Sequence, residues 1–289
     1  MEYSVVRVDV QSVSLKYYVF GRGSPRILIT AGIHGGEATG VYAARRLVEY
    51  LEKVERVRGS IVVIPVVNVL GFYAKTRWCP LDMVDMNRVF PDGAGSAVTR
   101  GIIKTVWEIA SSSDYVLDLH CAGLDSYQYI LALYKDFPRV KEFVESIAWD
   151  TVVESTGLRG QLFVEASHQG IPAAIIETGG GSGYYVEEWG EELFKTLVAT
   201  LVNLGFVEGE EKVVGKEYFG KLESVSPGVE GFFKPSVKPG RDIAEGDVIG
   251  YVDGRPVESS VGGRVISLSS WMYVPASGSV ARIAPRSSF

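Results

Sequence analysis

Three apolar, strand-like runs in this chain end on side chains that bind metals or move protons. That pattern constrains the fold more than any other. RILITAGIH (26–34) delivers His34, with Glu37 following inside HGGE; DYVLDLH (114–120) delivers His120; AAIIE (173–177) delivers Glu177. In an open α/β sheet, ligands bind in the crevice at the carboxyl ends of the strands. Three such endings predict that the four side chains converge. Two imidazoles and two carboxylates at one place are the parts of a catalytic zinc site: three protein ligands, one open position and a general base. The pattern points to metal-assisted amide hydrolysis.

The rest of the chain predicts the frame that holds such a crevice. VVRVDV and LKYYVFG read as a hairpin within residues 1–25, followed by the GRGSP turn. From 26 to about 205, strand and helix patterns alternate. RILITAGI is β-branched, and 37–54 carries Val41, Ala44, Leu47, Val48 and Leu51 at helical spacing. IVVIPVVN (61–68) is apolar on both faces, as a strand covered by helices should be. AVTRGIIKTVWEIASSS, FPRVKEFVESIAWD, GQLFVEASHQ and VEEWGEELFKTLVATLVNLG read as helices, and YVLDLH, QYILALY and PAAIIE as strands. Repeated βα units predict a doubly wound α/β sheet, mostly parallel or mixed. Past Gly205 the strands become short and glycine-punctuated, which predicts a small all-β barrel or sandwich. The expected division is a catalytic α/β domain over 1–207 and a β domain over 208–289.

Bulk properties exclude several function classes. The net charge is −6, with no basic run interleaved with aromatics, which argues against a nucleic-acid partner. No uninterrupted apolar run is long enough to span a bilayer, since Pro65 and Asn68 break the richest one. The N-terminus shows no basic region followed by an apolar core, so a cytoplasmic, membrane-free protein is expected. Cys79 and Cys121 are the only cysteines and are expected as reduced thiols. Oligomeric state is open, a homo-oligomer included.

Locally, His34 and Glu37 sit on a turn entering a helix, where both can grip one ion, and Gly32, Gly35 and Gly36 allow a tight backbone there. Asp118, two residues before His120, projects to the same side of its strand and is placed to hydrogen-bond that imidazole. A lone His-x-x-Glu is common on solvated helix starts, and a lone histidine is often a buried hydrogen-bonded one. The shared position at strand ends argues for ligation instead.

Four motifs in order, AGIHGGEATG, RWCPLDMVDMNRVFPD, VLDLH and IPAAIIETGGG, resemble the succinylglutamate desuccinylase/aspartoacylase family, a branch of the zinc carboxypeptidase-like fold. The likeness covers most of 26–205, and the C-terminal portion resembles that family's β-barrel. It implies one Zn²⁺ per chain, bound by His34, Glu37 and His120, with Glu177 as general base. It also implies Arg77 as the group polarising the scissile carbonyl, and Asn87 with Arg88 as the clamp on a substrate carboxylate. The substrate so implied is a small carboxylate-bearing amide such as an N-succinyl or N-acetyl amino acid. A zinc carboxypeptidase acting on peptides is the alternative that the same motifs serve.

Cys121 departs from the small polar residue expected after the third ligand, and alternation predicts that its side chain faces away from the metal. Arg159 and His168 lie where relatives place further recognition groups; neither aligns, and His168 is expected in a loop. Two other readings are weaker. VKPGRDIAEGDVIGYVDGRPVESSVGGRVISLS resembles half of a lipoyl-type carrier, but its expected hairpin tip holds Arg264 and no lysine. GGGSG (179–183) lacks the lysine and hydroxyl of a phosphate-binding loop. An inactive metal-binding relative would lack one of the residues named above, and none is missing.

Overall fold

The computed structural model describes residues 3–11, 13–123 and 125–287; Met1, Glu2 and Ser12 of the expected hairpin, Leu124, and the last two residues of the C-terminal portion lie outside them. β1 (Tyr3–Val10) and β2 (Val13–Gly21) pair antiparallel, as the alternation predicts. Then come β3 (Arg26–Ala31), α1 (Ala38–Leu51), β4 (Ser60–Ile64), α2 (Val69–Ala74), a 3-10 turn (Met86–Arg88), α3 (Ala97–Ser111) and β5 (Tyr115–Cys121). They are followed by β6 (Tyr129–Ala132), α4 (Pro138–Ser146), β7 (Thr151–Glu154), α5 (Leu162–His168), β8 (Ala173–Thr178) and α6 (Glu187–Asn203). With β9 (Glu217–Phe219), the strands form one nine-stranded sheet in the order β1-β2-β4-β3-β5-β8-β6-β7-β9.

The sheet is mixed. β4, β3, β5 and β8 run parallel to one another, whereas β2 meets β4, and β6 meets β8, antiparallel. Alternation along the inner strands feeds two cores. Ile27, Ile29, Ile61 and Val63 point to the side covered by α1, α4 and α6; Leu28, Val62 and Ile64 point to the side covered by α3 and α5. Burying one such side chain contributes about 1.5–3 kcal/mol, so a strand apolar on both faces is stable only with helices on both. The strand expected over 61–68 stops at Ile64, because Pro65 has no N–H for the ladder. Asn68 instead caps α2, its side chain accepting from Gly71 N at 2.8 Å.

The C-terminal strands are β10 (Glu223–Val225), β11 (Gly231–Pro235), β12 (Asp242–Ile243), β13 (Val248–Val252), β14 (Arg255–Glu258), β15 (Gly263–Leu268), β16 (Met272–Val274) and β17 (Ala281–Ala284). They make two four-stranded antiparallel sheets, β10-β17-β15-β12 and β14-β13-β11-β16. Phe233, Ile249, Val265 and Ile283 lie in the core they share. A second, smaller cluster of Tyr129, Val153, Phe219, Ile266 and Ala284 joins these sheets to the large one. Arg264 reinforces that seam: its Nε lies 2.9 Å from Asp242, and one terminal nitrogen donates to Thr151 at 2.9 Å. Arg264, which in the sequence argues against a carrier role, is buried, with its guanidinium bonded to Asp242, Thr151 and Glu217 between the sheets. Among the described residues, no helix is long and apolar enough to cross a membrane.

Candidate active site

β3, β5 and β8 lie side by side and parallel, so their carboxyl ends open onto one place. β3 has β4 on one flank and β5 on the other, so the winding reverses here and leaves a crevice. His34 stands on the turn after β3, and His120 of β5 pairs in register with Glu177 of β8. That turn is tight by necessity. A side-chain carbon on Gly35 would come within 2.2 Å of the backbone of Gly71 and Phe72, so α2 packs directly on the HGGE turn.

Glu37 occupies the N-cap position of α1, yet its carboxylate makes no cap bond. It turns to the imidazoles instead: Oε1 lies 2.7 Å from His34 Nδ1 and Oε2 lies 3.0 Å from His120 Nδ1. The two Nδ1 atoms are 3.2 Å apart. Both outward nitrogens are anchored, His120 Nε2 to Asp118 at 2.7 Å and His34 Nε2 to Asp85 at 3.1 Å. Thr30 Oγ1 donates to the other oxygen of Asp118 at 2.7 Å. Each imidazole is therefore held by a carboxylate with Nδ1 facing inward, the arrangement that orients histidine for a metal.

His34, Glu37 and His120 each offer a ligand atom, all within 4.8 Å of one another. Two imidazole nitrogens and a carboxylate oxygen are a donor set that suits zinc, so these residues fit the ion that the sequence implies. Beside them, Glu177 Oε2 is buried and has no hydrogen-bond partner. An orphaned buried carboxylate oxygen is costly unless it serves a ligand.

Electrostatics separate the two glutamates. Burial alone would raise Glu37, but the charges and hydrogen bonds of His120 and His34 outweigh it and hold its carboxyl low. Burial likewise opposes charge on His120, yet Asp118 and Glu37 raise its pKa well above the ordinary value. Glu177 is pushed up to about 7 by burial, and Glu37 adds to the shift against the opposing pull of the histidines. One carboxylate is tuned to stay charged, the other to exchange a proton near neutrality.

The arginines cluster at the same mouth. Arg77 Nε donates to Asp85 at 2.9 Å, and one terminal nitrogen stands 3.9 Å from Glu37 Oε1. Asn87, almost fully buried, accepts from Leu162 N at 3.0 Å and points its Nδ2 toward His120 Nε2 at 3.4 Å. Arg88 donates to the Asn87 carbonyl at 2.7 Å and lines the cavity with Arg77 and Asn87. All seven residues singled out in the sequence therefore border one cavity of about 1050 Å³.

The family model for the succinylglutamate desuccinylase/aspartoacylase catalytic domain matches residues 23–204. The chain belongs to this family. Membership in the succinylglutamate desuccinylase/aspartoacylase family makes it a hydrolase of the deacylase type. A relative from Halomonas elongata, N-alpha-acetyl-L-2,4-diaminobutyric acid deacetylase, is 27% identical over 261 residues, 83% of this chain and 74% of its own. An aspartoacylase family protein from Mesorhizobium loti has a solved structure 25% identical, with a TM-score of 0.80 over 99% of this chain and 96% of that one. A succinylglutamate desuccinylase/aspartoacylase from Rhodobacter sphaeroides superimposes with a TM-score of 0.83 at 22% identity, over 99% and 96% of the two chains. The expected α/β fold with C-terminal antiparallel sheets is that of these family members.

Within the span matched to the succinylglutamate desuccinylase/aspartoacylase family, Arg159 and His168 fall outside the crevice, while Cys121 borders it. Arg159 is held by Glu165 at 2.7 and 2.5 Å. His168 is the exposed last residue of α5, with its ring against Phe137, rather than in the loop expected for it. The helix continues to it because Ser167 and Ala166 still pack in the core. The Cys121 thiol, its pKa raised by burial, lies near Thr39 and Gly40, and its backbone N–H donates to Glu37 Oε2 at 3.1 Å. In GGGSG, the Gly180 N–H donates to the Gly123 carbonyl and the Gly183 N–H to the Gly36 carbonyl, so these two amides serve the local fold.

Asp85 was not singled out in the sequence, although it links His34 to Arg77 and accepts from Asn87 N at 2.9 Å. Its only local signal is the Asp-x-Asn spacing of a side-chain cap. Burial works against its charge, but His34, Arg77 and Arg88 hold its carboxyl low. Asp118 allows a test of the anchoring. Asp118→Asn is expected to weaken metal affinity about 10–100-fold, read by competition with a chelator, with unchanged circular dichroism.

Proposed function

We propose that this chain is a zinc-dependent deacylase that hydrolyses the amide bond of small N-acyl amino acids. The observation that carries the reading is the convergence of His34, Glu37 and His120 beside the unpartnered carboxylate oxygen of Glu177. His34, Glu37 and His120 would hold the zinc ion, which when bound would supply Lewis acidity for activating water and polarising a carbonyl. Glu177 Oε2 takes the proton from the attacking water and hands it to the nitrogen of the leaving amine. Arg77, braced by Asp85, directs its guanidinium at the carbonyl oxygen as negative charge develops there. Arg88 and Asn87 hold the substrate carboxylate and fix its register.

Small substrates are favoured over peptides because Leu222 and Ser224 of the C-terminal segment, with Arg282 of β17, wall the cavity and leave less room for a chain. A zinc-loaded preparation assayed with N-acetyl, N-succinyl and N-formyl amino acids, alongside peptides with free C-termini, tests the reading. The acyl amino acids are expected to be cleaved with at least tenfold higher kcat/KM, a transition-state difference of about 1.4 kcal/mol. Preferential cleavage of the peptides would replace this reading with a carboxypeptidase.

A further inference from the structure

The large sheet has two edges of different kinds. β9 closes one end with three residues, and its Phe219 packs into the seam with the C-terminal sheets. β1 closes the other end with eight, whereas β10, β12, β14 and β16, the edges of the smaller sheets, have two to four. Only β2 pairs with β1, in unbroken register from Tyr3↔Phe20 to Val10↔Val13. The outer row of β1 N–H and C=O groups therefore meets no strand among the described residues. Such an edge is a template for another strand unless proline, a bulge or repelling charge guards it. YSVVRVDV has neither proline nor bulge, and its two charges, Arg7 and Asp9, are opposite in sign.

Alternation gives β1 two distinct faces. Val6, Val8 and Val10 are half-buried on the side of α3, where a side-chain carbon on Gly101 would come within 2.4 Å of Val10. Tyr3, Val5, Arg7 and Asp9 project from the other face and are exposed. Arg7 stands opposite Lys16 of β2, and like charges set directly opposite are destabilising. No carboxylate lies within ion-pair distance of Arg7 among the described residues. Asp9, on the same face, accepts from the Ser14 hydroxyl at 2.7 Å but has no cation partner there. The edge thus carries one unmatched cation and one unmatched anion on a single face.

An antiparallel pair related by a two-fold axis normal to the sheet sets residues of the same face opposite one another. An axis at Arg7 would place that guanidinium against its own copy. Axes at Val5 or Val6 would place it against Tyr3 or Val5. An axis at Val8 matches both faces. Arg7 then meets the partner subunit's Asp9 and Asp9 meets the partner's Arg7, while Val8 meets the partner's Val8 and Val6 the partner's Val10. We propose that this edge is occupied by a second copy of the chain, with β1 pairing antiparallel to the partner's β1 about Val8. The two nine-stranded sheets then run on as one. β2 and β4 lie between β1 and β3, so the pairing leaves the crevice open.

Analytical sedimentation of the full chain at submillimolar concentration is expected to give the mass of two chains. Arg7→Asp and Asp9→Arg should each raise the dimer dissociation constant about tenfold or more, because symmetry repeats every mismatch. The doubly exchanged Arg7→Asp/Asp9→Arg protein should dimerise again, since the ion pair is restored in reverse. Mixing the two single variants should yield a heterodimer, captured through a tag carried by one of them. A wild-type protein that sediments as a single chain overturns the proposal. So does a dimer whose dissociation constant neither single variant changes. A double exchange that fails to recover dimerisation, while circular dichroism shows it folded, overturns the pairing about Val8.

Discussion

If Glu177 is the base proposed above, glutamine in its place is expected to lower kcat by about 10²–10⁴ while leaving zinc binding unchanged. The substitution preserves shape and removes only the capacity to carry a proton. His34, Glu37 and His120 retain every contact they make with one another, so the metal content should be unchanged. The pH profile supplies a second readout. Burial pushes Glu177 up to about 7, and a base works only when ionised, so kcat/KM should rise with pH through an acid limb set by this group. A bound cation draws that limb to lower pH. In Glu177→Gln the limb should disappear with the activity.

Stability adds a third readout of opposite sign to the usual mutational loss. A carboxyl whose pKa is higher in the folded protein than in the unfolded chain binds more protons when folded. Stability therefore falls as pH rises from about 4.5 through about 7. Glutamine carries no such penalty, so the metal-free variant should melt no lower than the wild type at pH 8 and higher if anything. Loss of zinc from Glu177→Gln, or retention of wild-type kcat, would remove Glu177 from its assigned role.

The inner frame of the fold was legible because its signals are local and repeated. Ile27, Leu28 and Ile29, with Ile61 to Ile64, are apolar on both faces, and that pattern alone demands helices above and below. The placement of His34, His120 and Glu177 followed from the same runs, since a strand end is visible where apolar alternation meets a polar side chain. Elements held by tertiary contact were not legible. α2 has six residues and a glycine at its centre, and it exists through the Asn68 cap and its packing on Gly35. β7 is four residues long and carries no sequence signal of its own: the helix expected over FPRVKEFVESIAWD ends at Ser146, and Thr151–Glu154, beyond that stretch, pairs with β6 and β9.

Strand direction was equally hidden. An apolar run does not say whether its neighbour is parallel, so the antiparallel entry of β6 beside β8 emerges only from the assembled sheet. The same limit applied to the site. Asp85 acts on His34, 51 residues away, and Arg282 reaches the cavity only because the C-terminal sheets fold back over the large one. Residues that act through sequence-distant partners leave little trace in spacing.

The second large effect is expected at His120. His120→Ala should abolish stoichiometric zinc binding, because two donors remain where a closed ligand set needs three. In the wild type, zinc at 100 times its dissociation constant would stabilise the fold by about 2.7 kcal/mol and raise Tm by roughly 4–5 °C in a chain of this size. The variant should show no zinc-dependent rise. The metal-free variant should also melt below the metal-free wild type, because Asp118 and Glu37 lose the imidazole that bonds to both. Breaking such a buried pair costs about 3–5 kcal/mol, so chelator titration must be made where circular dichroism shows the variant folded. His34→Ala provides an independent check, since its outward partner Asp85 is also held by Arg77 and the fold should suffer less. If both variants keep wild-type zinc affinity and a zinc-dependent Tm, the ion is bound elsewhere, and the crevice at the ends of β3, β5 and β8 is not the metal centre.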